Sequence, residues 1–496
     1  VTTTEHLDDH TPVLVGVGQL SNRVDRGEES VEPAELMARA LQAAVADAGA
    51  PGLIGAIGSI RVMNLLSWNY ADPGAEVARR VGASPAHTAV TVMGGNYPQT
   101  VVNGAARDIA EGRADVVVVC GAEAWRSRGA ARKAGGDPDW THQPPGTSPT
   151  EVYGSDDREL TGPAEAARGL FMPVQLYPMF DVALRAHHGM GVDEHRAHLG
   201  RLWSRFSEVA ATNPNAWIQR VLTPEEVATP TADNRMVGFP YTKVMNSNNN
   251  VEQGAAVVLC SAATARRLGI PTDRWVFPHA GADAHDHWFV SERDNLYSSP
   301  AMRLAGGRCL ELAGVGPDDL AHVDLYSCFP SAVQIAGNEL GLGTDRQLTV
   351  TGGMSFAGGP WNNYVTHSIA TMADVLRDDP GSLGLVSANG GFITKHSFGV
   401  YSTRPPATPF RWENCQAAVD ALPARAFTVD HDGAATIEAY TVMHGRHGAE
   451  VALAACLTPD GVRTWARSDD PDTMAAMQVD EFVGRAVTLG AGTFHL

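Results

Sequence analysis

The chain has 496 residues, 37 Lys+Arg against 56 Asp+Glu, a formal charge of −19, and 44% hydrophobic residues. That acidity argues against a general nucleic-acid binder and against a polybasic membrane-surface protein, and the hydrophobic content excludes a disordered chain. At roughly 100–200 residues per domain the length suits a multidomain globular body, and no apolar run reaches the ~18 residues of a membrane span. The N-terminal residues Val1–His10 are polar and acidic, unlike a secretory signal. Six cysteines, Cys120, Cys260, Cys309, Cys328, Cys415 and Cys456, form no CxxC pair and mostly sit in apolar runs, as reduced thiols of a cytoplasmic protein would.

Pro12–Gln19 reads as a buried strand. A helix follows, with Ser30 as its candidate cap, Pro33 in its first turn, apolar residues at helical spacing from Leu36 to Ala48, and Gly49 as its stop. Ile54–Val62 reads as a second strand and Thr88–Met93 as a third. Gly94-Gly95-Asn96 then turns into a helix carrying Val101, Val102, Ala105, Ala106 and Ile109, and Asp115–Gly121 is an unbroken apolar strand of the kind covered on both faces. The pattern recurs: Gln347–Thr351 as a strand, Gly358-Gly359-Pro360 as the turn, Thr366–Leu376 as the helix and Gly384–Ser387 as the strand. Ala255–Ser261 and Phe398–Ser402 add a strand to each repeat, and the segment 125–250, helical over His195–Val209, is an insertion in the first. This is a duplicated βαβ design. After the linker Arg404–Pro409, the segments Ala426–Val429, Ala435–Met443, Glu450–Leu457 and Val487–Phe494 read as strands of a small β-barrel or sandwich.

Four places could carry chemistry. Each Gly-Gly turn aims a helix N-terminus at a strand end, where N–H groups favour anions; tight strand–helix packing explains the same glycines. Tyr326-Ser327-Cys328 ends a strand, and is either reactive or a hydrogen-bonded core wall. His396, in the segment Ala388–His396, is a candidate base or donor, or a structural loop histidine. The cluster His279, Asp283, His285, Asp286, His287 lacks a recognised ligand spacing, and no metal site is expected.

These segments, in this order, resemble the thiolase superfamily over residues 12–403, and are most similar to the sterol-carrier-linked thiolases and the thiolase-like proteins of lipid metabolism. Asp115–Glu123 (DVVVVCGAE) and Met245–Ser261 (MNSNNNVEQGAAVVLCS) are similar to the family's corresponding stretches. The resemblance implies an α/β fold of two βαβαβαββ halves in five layers (α-β-α-β-α), with 1–124 plus 251–275 as the first half, 125–250 as the loop domain and 276–404 as the second half. Residues 410–496 would form an additional small β-barrel of oligonucleotide/oligosaccharide-binding (OB) type. The family condenses or cleaves acyl-CoA thioesters through two cysteines and a histidine. Here the nucleophile position falls on Gly95, the family's Asn-Glu-Ala-Phe or His-Asp-Cys-Phe motif reads Tyr326-Ser327-Cys328-Phe329, the histidine of Gly-His-Pro is Gly359, and the Cys-x-Gly motif gives Ser387 and Asn389.

Glycine cannot form an acyl-enzyme, so the resemblance implies a protein that keeps an acyl-CoA-binding fold without running conventional thiolysis. One reading is an altered enzyme, such as a retro-aldolase of β-hydroxyacyl-CoA, with Tyr326 and His396 as acid/base candidates and Cys328 nearby. The other is a binding or carrier module for acyl-CoA or a lipid chain. The expected ligand is CoA or acyl-CoA, with no covalently bound cofactor. Arg126 and Arg128, in a basic run with Arg132 and Lys133, are candidates for its phosphates, or a solvated charged face. Asn249 lies where the family places a pantetheine-contacting serine. The family usually forms homodimers; a monomer is expected if the C-terminal domain covers that surface.

Overall fold

The fold is given by a computed structural model that describes residues 7–154 and 158–495. The first half is one sheet of six strands in the order Pro12–Ser21, Glu252–Ser261, Val116–Ala124, Ser59–Val62, His87–Thr91, Glu151–Tyr153. The last four hydrogen-bond in parallel, and Glu252–Ser261 runs antiparallel to both of its neighbours. Val116–Ala124 is buried along its whole length, as its missing alternation requires. The helix after the first strand is Pro33–Asp47. Ser30 does not cap it: Glu32 precedes the helix in an extended conformation, and proline's fixed φ starts the first turn. Only Ser59–Val62 of the expected strand Ile54–Val62 is extended; Leu53–Ala56 is one helical turn, because a short apolar run has no period to distinguish the two.

The second sheet runs His322–Asp324, Leu383–Gly390, Lys395–Ser402, Phe277–His285, Arg411–Asn414. The repeat is imperfect here, since Gln347–Thr351 is not a strand. The backbone N–H groups of Val350 and Thr351 go to the buried carboxylate of Asp324, at 2.9 and 3.1 Å, instead of into a ladder. Thr349 and Thr351 hydroxyls donate to the same oxygen, and Ser368 to the other at 2.8 Å. Burial nevertheless pushes the Asp324 carboxyl up, against these hydrogen bonds. At the opposite edge Arg411–Asn414, expected in the barrel, pairs in parallel with Phe277–His285. The C-terminal barrel therefore starts later than residue 410.

Two helices, Tyr97–Ala110 and Tyr364–Asp378, lie between the sheets. Pro33–Asp47 and Pro73–Val81 cover the outer face of the first sheet, and Pro300–Ala313 that of the second, giving the expected five layers. The inserted segment is mainly helical, with Pro173–His187 and Val192–Thr212 as its longest elements.

The C-terminal domain is a closed five-stranded barrel of Gly433–His444, Ala449–Leu457, Arg463–Ser468, Thr493–His495 and Ala486–Gly490. Ala426–Val429 contributes a single bridge, Phe427 to Arg463, rather than a strand. The expected strand Val487–Phe494 is a hairpin, broken where Ala491 and Gly492 take positive φ. The loop-domain strand Met236–Gly238 hydrogen-bonds to the barrel strand Gly433–His444, so the barrel's sheet continues into the insertion. Arg463, fully buried, pairs with Glu438 at 2.5 Å and donates to the carbonyls of Val290 and Ser291, each at 3.1 Å. The barrel thus docks on the loop domain and on the segment 290–294. The outer edge of the first sheet is occupied by the chain's own Glu151–Tyr153.

Candidate active site

The two Gly-Gly turns and the Tyr326-Ser327-Cys328 segment come together around the N-termini of the two central helices. At both turns the space a side chain would need is already filled. A Cβ on Gly95 would overlap the Tyr326 hydroxyl oxygen and lie 2.6 Å from the Asn389 carbonyl oxygen. A Cβ on Gly359 would overlap Ser247 Oγ and lie 2.8 Å from Asn249 Oδ1. One on Gly358, whose φ is +109°, would overlap Gln253 Oε1. Glycine is needed at 95 and 359 for this close approach.

Tyr326 is held from several sides. Its N–H donates to Ser387 Oγ at 2.9 Å, and its ring packs edge-on against Tyr364 with centroids 5.7 Å apart. Tyr364 is bonded to Thr351 Oγ1 at 2.7 Å, and Ser327 Oγ accepts the Met354 N–H at 3.2 Å. Burial raises the Tyr326 hydroxyl well above the ordinary phenol range, and the neighbouring Cys328 and Tyr364 add to it. Tyr326 is therefore a neutral hydrogen-bond donor at neutral pH. Burial likewise pushes the Cys328 thiol up to about 12, so it is no thiolate. Asn389 Nδ2 donates to Tyr177 Oη at 3.0 Å and faces Cys328 Sγ at 4.0 Å.

Tyr177 was not legible in the sequence. It comes from the loop-domain helix Pro173–His187, stacks on Phe329 at 4.4 Å, donates to the Gly391 carbonyl at 2.9 Å and accepts the Ile393 N–H at 3.1 Å. It locks the insertion onto the Ser387–Asn389 strand end. Nothing but tertiary packing connects positions so far apart in sequence.

His396 is placed differently. It is 1% exposed, with Nε2 3.3 Å from Asp286 Oδ2 and 3.5 Å from Ser299 Oγ. It sits opposite Asn389 in the strand register, yet its nearest polar partners belong to Asp286 and the cap of the helix Pro300–Ala313 rather than to Tyr326. Asn249 accepts from Ser247 Oγ at 2.6 Å above the Gly359 turn. Arg126 and Arg128 sit on the helix Trp125–Lys133. Arg126 stacks over Trp217 at 5.4 Å, and Arg128 donates to the Leu66 carbonyl at 2.8 Å. Arg132 pairs with Asp137 on the surface.

The side chains of the histidine–aspartate cluster do not converge on a common point. Asp283 accepts from Thr100 Oγ1 at 2.7 Å, His285 Nδ1 meets the Asp286 carbonyl at 2.8 Å, and His287 Nε2 meets the Pro423 carbonyl at 3.2 Å. Among the described residues no group of three or more His, Cys, Asp and Glu is placed to hold a metal ion. Glu123 is a buried titratable group the motifs did not single out: its carboxylate accepts the N–H groups of Leu66 and Ser67 at 2.8 and 2.7 Å. Burial pushes its pKa up to about 7 against those bonds.

Comparison with solved structures places the chain. The crystal structure of a monomeric SCP2-thiolase-like protein type 1 from Mycobacterium smegmatis matches with 33% identity and a TM-score of 0.83, over 98% of this chain and 99% of that one. This chain belongs to the SCP2-thiolase-like type 1 family. Its residues 414–492 also match the model of the thiolase-like protein type 1 additional C-terminal domain. Two more distant structures share the thiolase fold. An Ltp2-ChsH2(DUF35) aldolase is 22% identical, with a TM-score of 0.60 over 80% of this chain and 99% of that one. The dimeric peroxisomal thiolase of Saccharomyces cerevisiae is 14% identical, with a TM-score of 0.55 over 81% of this chain and 99% of that one. Comparison with curated protein sequences gives no match. Among the described residues no helix is long and apolar enough to cross a membrane.

Proposed function

We propose that this SCP2-thiolase-like type 1 protein binds CoA or acyl-CoA in lipid metabolism and does not carry out cysteine-dependent thiolysis. One observation carries the reading: the Tyr326 hydroxyl stands in the space above Gly95 where a nucleophilic side chain would project. Ser247 and Asn249 fill the corresponding space above Gly359, and Cys328 is a protonated thiol. Covalent acyl transfer needs an activated nucleophile with a base in reach, and neither glycine turn carries such a side chain. Titration calorimetry with CoA and acetoacetyl-CoA, run beside a thiolysis assay, tests the proposal. Binding with no turnover supports it. Thiolysis above about 1 s⁻¹, or no binding at millimolar ligand, refutes it.

A second reading is favoured by the placement of Tyr326 Oη at the N-terminus of the helix Tyr97–Ala110. In a retro-aldol cleavage of a β-hydroxyacyl-CoA, the hydroxyl proton passes to solvent water, the Cα–Cβ bond breaks to leave a carbonyl product, and its electron pair passes into a thioester enolate that is then protonated at Cα. A neutral phenol beside a helix N-terminus suits stabilisation and protonation of that enolate. The aldolase neighbour has this fold, and the closed barrel here would be the analogue of a separate partner protein. Tyr326→Phe would then lower lyase turnover by about 10²-fold or more. An undiminished rate removes Tyr326 from the reaction. Without any turnover, the carrier role stands.

A monomeric state belongs to the same proposal. The relative's monomer and the strand Glu151–Tyr153 on the outer edge of the first sheet support it, and light scattering tests it. Six free, buried cysteines favour a reducing compartment such as the cytoplasm.

A further inference from the structure

Behind the Gly358–Gly359 turn lies a cavity of about 10 Å³ open to the centre of a water molecule, which is room for one. Gln19, Gln253, Thr351, Gly358, Tyr364 and His367 are among the residues that line it. Gln19 and Gln253 belong to strands of the first half, His367 and Tyr364 to the central helix of the second.

The polar atoms around it do not balance. Gln253 Nε2 is fully used, donating to Ser21 Oγ at 3.0 Å, to the Asn215 carbonyl at 3.2 Å and to the Ala357 carbonyl at 2.9 Å. Gln253 Oε1 has no protein partner, although the residue is 2% exposed. Gln19 Nε2 donates to Thr371 Oγ1 at 3.1 Å, which turns its Oε1 toward His367 Nδ1 at 3.0 Å. An amide oxygen only accepts, so His367 Nδ1 carries the proton and Nε2 is left as a lone-pair acceptor. That Nε2 is buried without a protein partner too. Burial holds His367 neutral, its pKa driven down to about 3. Two residues that line one small cavity therefore each carry a buried acceptor that requires a donor.

We propose that this cavity is a binding site for a single structural water molecule, which donates one hydrogen to Gln253 Oε1 and the other to His367 Nε2. The water ties the first half's strands to the second half's central helix. It also fixes the Gln253 amide in the space beneath Gly358, and so holds the Gly358–Gly359 turn in place. The turn's own hydrogen bond, Gly359 N–H to the Asn248 carbonyl at 2.9 Å, reports on that hold.

A crystal structure of the full-length protein resolving ordered waters tests the site. A peak within about 2.7–3.2 Å of both acceptors is the expected result. An empty cavity, a peak in reach of only one acceptor, or an occupant whose coordination requires a cation overturns it. Hydrogen exchange gives a second measure. His367→Leu removes the acceptor, and His367→Gln keeps one. Exchange across residues 357–364 should speed up by about tenfold in the leucine variant and by less than about twofold in the glutamine variant. Equal exchange in both variants overturns the proposal; should the leucine variant not fold, the density at the wild-type site decides alone.

Discussion

Adding a single methyl group at residue 95 tests the geometry of the cleft most directly. Gly95 does not use a positive φ, so Gly95→Ala on an unstrained backbone would stabilise by about 0.4–1 kcal/mol through the unfolded state. The structure opposes this. The new Cβ would overlap Tyr326 Oη, lie 2.9 Å from Tyr326 Cζ and 2.6 Å from the Asn389 carbonyl oxygen. The carbonyl belongs to the paired strand Leu383–Gly390 and cannot yield, and the ring is held against Tyr364. Overpacking of this kind costs about 1–3 kcal/mol, so the net effect is a loss within about 0–2.6 kcal/mol, centred on about 1.3 kcal/mol. Tyr326→Phe removes the overlapping oxygen, so the double variant should recover about 1 kcal/mol relative to the sum of the single changes. Urea unfolding of the four proteins, compared at matched m values, gives the cycle. If Gly95→Ala is as stable as the wild type or more so, the phenol does not occupy the nucleophile's space, and the case against a covalent mechanism fails with it.

Two other predictions follow from buried titratable groups. Burial pushes the Glu123 carboxyl up to about 7 from its ordinary 4.5, so between these values the folded state binds more protons than the unfolded one. Stability should therefore fall as pH rises from about 4.5 to 7, by up to about 3 kcal/mol from this group, and Glu123→Gln should flatten that slope in denaturation midpoints taken at pH 5 and 7.5. An unchanged slope in the variant would mean that the carboxylate ionises freely in the fold. Cys328, with its pKa pushed up to about 12, should react with iodoacetamide at pH 8 at least about 10³-fold more slowly in the native protein than in the unfolded chain, read by peptide mass spectrometry. Rapid native alkylation would restore it as a candidate nucleophile.

Where a local pattern had a physical cause, it was legible. The unbroken apolar run at Val116–Ala124 becomes a strand buried on both faces, and each Gly-Gly turn opens a central helix. The resemblance puts Gly95 and Gly359 at the family's nucleophile and histidine positions, and the structure shows that the space over both glycines is filled. The third strand of the second repeat was not legible. Gln347–Thr351 has a strand's composition, but a carboxylate supplied from Asp324 competes for its N–H groups, and periodicity carries no trace of that competitor. The hairpin within Val487–Phe494 was missed because its turn rests on Ala491 as well as Gly492, and alanine is not a turn signal.

The sequence by itself determined the duplicated halves, the insertion in the first and the C-terminal strands, since each is a matter of which side chain stands at which place in an ordered pattern. Only the tertiary structure decided what fills the cleft. Tyr326 over Gly95, Ser247 and Asn249 over Gly359, Tyr177 beneath Asn389, and His396 turned toward Asp286 are all contacts between residues far apart in the chain. Such contacts are fixed by packing density and by pairing of buried polar groups, quantities that belong to the folded volume and leave no period or motif in a linear chain.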